Sequence, residues 1–273
     1  MSLTVVRQFG VVSLLGLPRP GFRSFGVPMG GAFDLESFAI ANALVGNLPS
    51  GPVWEMGMAH ATFRAEQSGT VSVVGALSTI VGHGFVIESS AAFSVEAGDE
   101  FTIEAPREGA RAYVAFSAGV HKKGWRLRLE EPIDSVANRG ELRVVAGPQG
   151  ASFDLQCLSG PFEISRTINR VGVRLESPIG GHQIELPSEP QCIGTVQVAN
   201  DGTLIILGPD GPTIGGYPKI AVVATCDLSR VAQMHPGESV RFEVVTVEEA
   251  RQLAVVARER LQKRIGLIRA HLG

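Results

Sequence analysis

The stretch TLIILGPDGPTIGGYPKIAVVAT, Thr203 to Thr225, decides the fold. Its two apolar runs, Thr203 to Leu207 and Ile220 to Thr225, are rich in β-branched residues and too short for helices. Between them, Gly208, Gly211, Gly215 and Gly216 mix with Pro209, Pro212 and Pro218, which punctuate structure rather than propagate it. Outward from this strand–loop–strand pattern the same reading predicts strands at Thr70 to Val74, Phe85 to Glu88, Glu100 to Glu104, Arg111 to Phe116, Glu141 to Ala146, Val171 to Glu176 and Ser239 to Val245. A further strand is expected within Phe9 to Leu17. The strands do not alternate with helices, which excludes a doubly wound parallel sheet and points to barrels or sandwiches. Composition agrees: 33 glycines and 16 prolines in 273 residues demand many turns. Hydrophobic residues at 44% against 19% charged exclude general disorder.

Two helices are predicted. Asp34 is a good N-cap for a helix over Leu35 to Val45, with Leu35, Phe38, Ala39, Ala41, Leu44 and Val45 largely on one side and Gly46-Asn47 as its stop. Thr246-Val247-Glu248-Glu249 forms a capping box for a second helix. Ala250, Leu253, Ala254, Ala257, Leu261 and Ile265 make its apolar stripe, with Arg251, Arg258, Lys263 and Arg264 mainly opposite. That stripe suits packing on the chain's own barrel or a subunit interface. Ala97 to Ile103 echoes Pro236 to Phe242, a Gly-acid turn opening an alternating strand in each, which fits either two related β-units or a common hairpin entry.

Several functions are excluded by what the chain carries. A net charge of −3 gives no reason to expect a nucleic-acid partner. No apolar run approaches the ~18 residues of a membrane span, and Pro18-Arg19-Pro20-Gly21 after the first apolar stretch does not read as a signal cleavage site. Cys157, Cys192 and Cys226 stand far apart, which predicts reduced thiols in a cytoplasmic protein and gives no metal or redox motif. Buried hydrophobe is the preferred reading for each cysteine. The histidines have no metal-ligand spacing, and His182 in Gly180-Gly181-His182 is the one worth testing. Neither a Walker A sequence nor a Gly-x-Ser-x-Gly elbow is present.

Three segments hold candidate site residues. Gly208 to Lys219 combines adjacent glycines, which let a backbone approach a ligand, with Asp210, Thr213, Tyr217 and Lys219; a tight barrel corner is its structural alternative. Arg19 to Asp34 places Arg19 and Arg23, suited to a carboxylate or carbamate, before Gly30-Gly31 and a helix N-terminus. For Arg23 alone a solvated role is preferred. In Ser165 to Arg174, Asn169 and Arg170 suit substrate anchoring and structural hydrogen bonding equally. Gly147-Pro148-Gln149 is a further polar turn.

These segments, in this order, resemble the allophanate hydrolase subunit 2 family, also described as biotin-dependent carboxyltransferases and including one of the subunits of bacterial 5-oxoprolinase. The resemblance is carried by Arg19-Pro-Gly-Phe22, Gly26 to Asp34, Ala41 to Asn47, Trp54-Glu55, Gly109 to Val114, Gly147-Pro-Gln149, Asn169 to Glu176, Gly194 to Gln197 and Gly215 to Ala221. It implies an all-β fold of two cyclophilin-like β-barrel units, here placed at 1–140 and 141–245, with a C-terminal helix over 246–273. It also implies a subunit 1 partner and ATP used in the assembled complex. Biotin on a carrier and a small amide or urea-like substrate complete the implied set. On that basis Arg19, Arg170 and Lys219 are expected to meet carboxylate, phosphate or carboxybiotin charge. Asp210 or Glu55 is the expected general acid or base, and Lys219 belongs to the same catalytic group. Gly215 and Gly216 would donate amides to an oxyanion, with Asn169 and Tyr217 contacting substrate. A non-catalytic regulatory or binding member of the family is the alternative. Departures from the family pattern fall at Leu15 to Arg19, at Ser165 to Arg170, at Pro212 to Ile214, and in a shorter segment between His121 and Glu141.

Overall fold

The computed structural model describes residues 3–118, 124–137, 140–180, 184 and 186–272. Two compact units emerge, one of Met1–Leu17, Asp34–Asn138 and Leu261–Gly273, the other of Pro18–Phe33 and Arg139–Arg260. Each is built on one curled, barrel-like sheet, so the chain is mostly β, with four α-helices among the described residues, including the one at its C-terminal end.

The first unit holds β1 (Leu3–Leu15), α1 (Leu35–Leu44), β2 (Val53–Ala65), β3 (Gly69–Leu77), β4 (Thr79–Gly82), β5 (Phe85–Glu88), β6 (Ala91–Val95), β7 (Glu100–Ile103), β8 (Glu108–Ser117), β9 (Arg126–Arg128) and α2 (Asp134–Ala137). The sheet runs β5-β4-β7-β2-β8-β3-β6-β9, and β1 pairs with β2 off this path. β3 lies between β8 and β6 with α1 against it, and from Gly69 through Ala76 every residue is buried. Phe63 stacks on Phe101 at 5.6 Å, and Phe93 meets Phe101 edge-on at 5.2 Å. Such pairs add to the area that their burial removes from water.

The second unit holds β10 (Leu142–Ala146), β11 (Phe162–Ile168), β12 (Gly172–Leu175), β13 (Glu189–Pro190), β14 (Thr195–Val198), β15 (Leu204–Leu207), β16 (Ile214–Gly215), β17 (Lys219–Val223), α3 (Leu228–Ala232), β18 (Ser239–Val240) and β19 (Phe242–Val244). Its sheet runs β18-β11-β12-β15-β14-β17-β10-β19, while β13 and β16 form a separate two-stranded ribbon. Val144, Val173, Val196, Leu204, Ile206 and Ile220 fill the core, joined by Phe33. The final helix, α4 (Val247–Leu272), contributes residues to both units.

The structure corrects several local predictions. Asp34 does cap α1, its carboxylate accepting from the Ser37 amide at 3.0 Å, but α1 is not one-sided. Ile40, Asn42 and Ala43 are buried as well, whereas Leu35 is exposed. Arg264 is on the packed side of α4, donating to the carbonyls of Glu131 and Pro132. Finally, β2 is a thirteen-residue strand absent from the sequence reading, because Glu55 is buried at a position where alternation calls for an apolar residue. The α4 stripe and its capping box match, with Thr246 Oγ1 and the Glu249 amide at 3.2 Å and the Glu249 carboxylate on the Thr246 amide at 2.8 Å.

Candidate functional site

The second unit brings together Arg19, Asn169, Arg170, Asp210, Gly215, Gly216, Tyr217 and Lys219. The Gly208–Lys219 connection is held by its own backbone. The Gly208 amide donates to Val171, the Asp210 amide to Arg170 and the Gly211 amide to Gly208, all at 2.9–3.1 Å. A Cβ on Gly208 would stand 2.3 Å from the Arg170 carbonyl oxygen. At Gly208 glycine serves close backbone packing, and the amides of Gly208, Asp210 and Gly211 are already bonded within the chain.

Arg170 grips Asp210 through both carboxylate oxygens, at 2.7 and 3.0 Å, and its Nη2 donates to the Gly31 carbonyl at 2.6 Å. The pair ties the 18–33 segment to the loop, helped by the Gly30 amide on the Pro209 carbonyl at 3.0 Å. Asn169 is a turn-former: its Oδ1 accepts from the Val171 and Gly172 amides at 2.8 and 3.2 Å. Arg23 donates to the carbonyls of Gln191 and Pro212, so it pins the ribbon instead of standing in solvent.

Lys219 is almost wholly buried. Its Nζ has three acceptors, Glu189 Oε2 at 3.1 Å, the Tyr217 carbonyl at 3.3 Å and the Gly215 carbonyl at 3.4 Å. These match the three protons of an ammonium group. Gln149 bridges the same corner, accepting from the Lys219 amide at 3.0 Å and donating to Glu189 at 3.2 Å. The hydrogen bonds from Lys219, then Gln149, hold the Glu189 carboxyl below its ordinary range. Gly215 lies beneath the Gln191 carboxamide, and Gly216 stands close to the Leu186 carbonyl. The Tyr217 ring is 40% exposed and its hydroxyl has no partner among the described residues.

Arg19 differs from the other candidate cations. It is exposed, and among the described residues its guanidinium makes no hydrogen bond or ion pair. The Arg19 amide is anchored on the Met29 carbonyl at 2.8 Å. Gly30 adopts φ +57°, and a Cβ there would stand 3.4 Å from Arg19 Nη2 and 3.9 Å from Asp210 Oδ1. Arg19 and Asp210 thus flank a position kept open by glycine.

Glu55 belongs to the first unit. Tyr113 donates to it at 2.8 Å and in turn accepts from the Asp34 amide at 2.7 Å, with Arg111 Nε 3.7 Å from the carboxylate. Burial, then the Glu55 charge, pushes the Tyr113 hydroxyl well above its ordinary pKa. Nearby, burial and then Asp34 push the Glu36 carboxyl up to about 7. This buried network organises the start of α1.

Sequence reasoning missed Glu189 and Gln191, which sit in an unpatterned stretch and acquire meaning only across the ribbon from Thr213 to Lys219. It noted Gln149 only as part of a polar turn. Cys157 and Cys226 are half-buried, and burial raises both thiols, the reverse of nucleophile activation. His121 and His182 lie outside the described residues. Among the described residues no group of three or more His, Cys, Asp or Glu is placed to hold a metal. No described helix is long and apolar enough to cross a membrane.

Comparison with known proteins places this geometry in a family. The model described as the carboxyltransferase domain, subdomain A and B, matches residues 25–126 and 121–244. One of the subunits of the Escherichia coli (strain K12) 5-oxoprolinase is 28% identical, the alignment covering 85% of this chain and 87% of that protein. Urea amidolyase of Lachancea kluyveri is 25% identical over 86% of this chain, which spans only 16% of that protein. Among solved structures, the Kluyveromyces lactis urea carboxylase superposes with a TM-score of 0.82 at 22% identity, over 98% of this chain and 29% of its own. TTHA0988 gives 0.78 at 24% identity, over 89% of this chain and 55% of its own. These two structures speak to the fold alone.

Proposed function

The chain belongs to the carboxyltransferase-domain family with subdomains A and B, and on that premise we propose that it is one subunit of an ATP-dependent amide-ring-opening hydrolase or carboxyltransferase. It would work with a subunit 1 partner on a small amide or urea-like substrate. The supporting comparison is the near full-length match to a single subunit of 5-oxoprolinase, against a small fraction of the urea amidolyase. ATP is assigned to the assembled complex on the family likeness, and the internally bonded Gly208, Asp210 and Gly211 amides of this chain are consistent with that.

The observation that carries the site is the pairing pattern of its cations. Arg170 and Lys219 are held by Asp210 and Glu189, so Arg19 beside Gly30 is the cation open to a substrate carboxylate, phosphate or carboxybiotin. Asp210, next to it and 38% exposed at its side chain, is the acid–base group of this reading. Arg170 holds the Asp210 carboxylate in place, and Lys219 holds the ribbon. The second reading, a non-catalytic binding subunit, is favoured by the same saturation of Arg170 and Lys219.

Co-purification with a subunit 1 partner, followed by ATP hydrolysis with and without 5-oxoproline or urea, separates the two. Substrate-stimulated hydrolysis that falls at least about tenfold in Arg19→Gln, with an unchanged melting temperature, supports the catalytic reading. A stable complex with no stimulation under either substrate favours the binding subunit. Full stimulation in Arg19→Gln removes Arg19 from the site.

A further inference from the structure

In the first unit, residues 129–137 border a cavity of about 230 Å³. The stretch 129–133, Val136 and Ala137 supply over half of its lining, and Gly75, Leu77, Ser89 and Ser90 much of the rest. Where this stretch begins, the Leu129 amide donates to the Ser90 carbonyl at 2.8 Å. Further on it is fastened by polar contacts to the starts and ends of helices. The Asp134 and Ser135 amides donate to the two Glu36 carboxylate oxygens at 3.2 and 2.8 Å, and the Ser135 hydroxyl to Asp34 at 2.7 Å. Arg264 of α4 donates to the Glu131 and Pro132 carbonyls at 2.6 and 2.8 Å. Charge around Glu36 is unbalanced. Asp34 lies beside it at the start of α1, Asp134 faces it from α2, and Arg264 stands 4.0 Å away, already engaged by the two carbonyls. Behind Asp34, Tyr113 of β8 donates to Glu55, with Arg111 3.7 Å from that carboxylate. Three carboxyls against one guanidinium, with the Glu36 and Arg264 side chains only 17% and 14% exposed, favour a proton on Glu36. Burial, then Asp34, accordingly lifts the Glu36 carboxyl to about 7, against the opposing pull of the Ser135 amide.

We infer that residues 129–137 form a proton-controlled strap over this cavity, closed while the Glu36 carboxyl is protonated and released as it ionises. Release exposes Glu36 to water and returns its carboxyl towards ordinary acidity, so opening and proton loss favour each other. The cavity is therefore covered under mildly acidic conditions and uncovered more often above neutrality. Every group involved belongs to the first unit, and none to the substrate site proposed above.

The test is amide exchange on the full chain at pH 6 and pH 8, each rate divided by the intrinsic rate at that pH. The Ser135 amide is expected to be less protected than the amides of β3 at both values, because the strap opens without global unfolding. Its protection is expected to fall about tenfold from pH 6 to pH 8, the change set by a carboxyl at about 7 when closed and near 4.5 when open. In Glu36→Gln, which keeps an acceptor oxygen for the Ser135 amide, that fall is expected to vanish. Unchanged protection in wild type, or a fall that persists in Glu36→Gln, overturns the strap. So does a Ser135 amide that exchanges no faster than those of β3, since the segment would then come free only when the whole unit unfolds. If Glu36→Gln does not fold, wild type decides alone. The Glu36 carboxyl carbon, followed by NMR, is expected to titrate at about 7, and a midpoint nearer 4.5 overturns the strap.

Discussion

Lys219 and Arg19 carry the same charge, and what distinguishes them is the company each keeps. Lys219 Nζ has a carboxylate and two carbonyls around it. Replacing it by Met leaves two carbonyls without their donor and Glu189 without its cation. Glu189 is 36% exposed at its side chain, so water screens much of the loss. A destabilisation of about 1–2 kcal/mol is expected for Lys219→Met, measured by urea denaturation. Glu36 allows a pH prediction in the first unit. Its folded pKa, raised from 4.5 to about 7, means that folding favours the protonated form. The associated stability is complete below pH 4.5 and is lost as pH rises through 7, by up to about 3 kcal/mol. Glu36→Gln keeps one acceptor oxygen, for the Ser135 amide that now meets one carboxylate oxygen at 2.8 Å, and gives up the weaker bond from the Asp134 amide to the other at 3.2 Å. The variant should gain stability relative to wild type between pH 5 and pH 8, read as the difference between two denaturation series. A constant difference across that range would refute the assignment. Arg19 and Asp210 could be named as candidates from the sequence, whereas the saturation of Lys219 could not. Its partner Glu189 is distant in the chain and reaches it only because β13 pairs with β16.

At the scale of elements, the clearest result is the paired turn. In the first unit the Asp99 carboxylate accepts from the Glu96 amide at 2.8 Å, and in the second the Glu238 carboxylate accepts from the His235 amide at 3.2 Å. Gly98 donates to Ala65 and Gly237 to Ile164, at 2.8 and 2.9 Å. The return bonds, from Ala65 to Asp99 and from Ile164 to Glu238, measure 2.9 and 2.8 Å. Both glycines are left-handed, at φ +91° and +84°. The weak echo between 97–103 and 236–242 therefore marks the same device built twice, which favours related units over a chance hairpin entry. Gly98→Ala and Gly237→Ala should each cost about 1 kcal/mol or more, and by similar amounts; widely unequal values by thermal denaturation would argue against equivalence. Short strands were readable because apolar runs and turn residues bound them. β2 was not, since Glu55 and the positive-φ Met58 interrupt its pattern. The 239–245 run was read as one strand but forms β18 and β19, which pair with different neighbours, β11 and β10.

For the whole molecule, sequence order and spatial grouping do not coincide. Residues 18–33 are grouped with the second unit, and Leu261–Gly273 with the first. Within the first unit, Ile268 is buried, Arg264 holds the Glu131 and Pro132 carbonyls, and Arg269 donates to Asn47 at 3.2 Å. Ending the chain after Arg260 should therefore loosen the first unit, seen as faster amide exchange around Val136 and Asn47. Unchanged exchange there would show that the helix end is dispensable. The all-β class and the two-fold repetition were legible from strand runs and family resemblance. This exchange of segments was not, because no local pattern records which distant surface a segment will join.

That arrangement bears on how the protein is made. A ribosome releases its product from the N-terminus, and chains of this size generally fold unit by unit as they emerge. Here the first sheet is finished early, yet Leu261–Gly273, which group with its unit, are translated only after the whole of the second sheet. The nascent first unit must wait, with the surface destined for Ile268 uncovered, until the end of α4 emerges. Codon usage or chaperone supply while residues 139–260 are being made should thus affect the yield of the first unit.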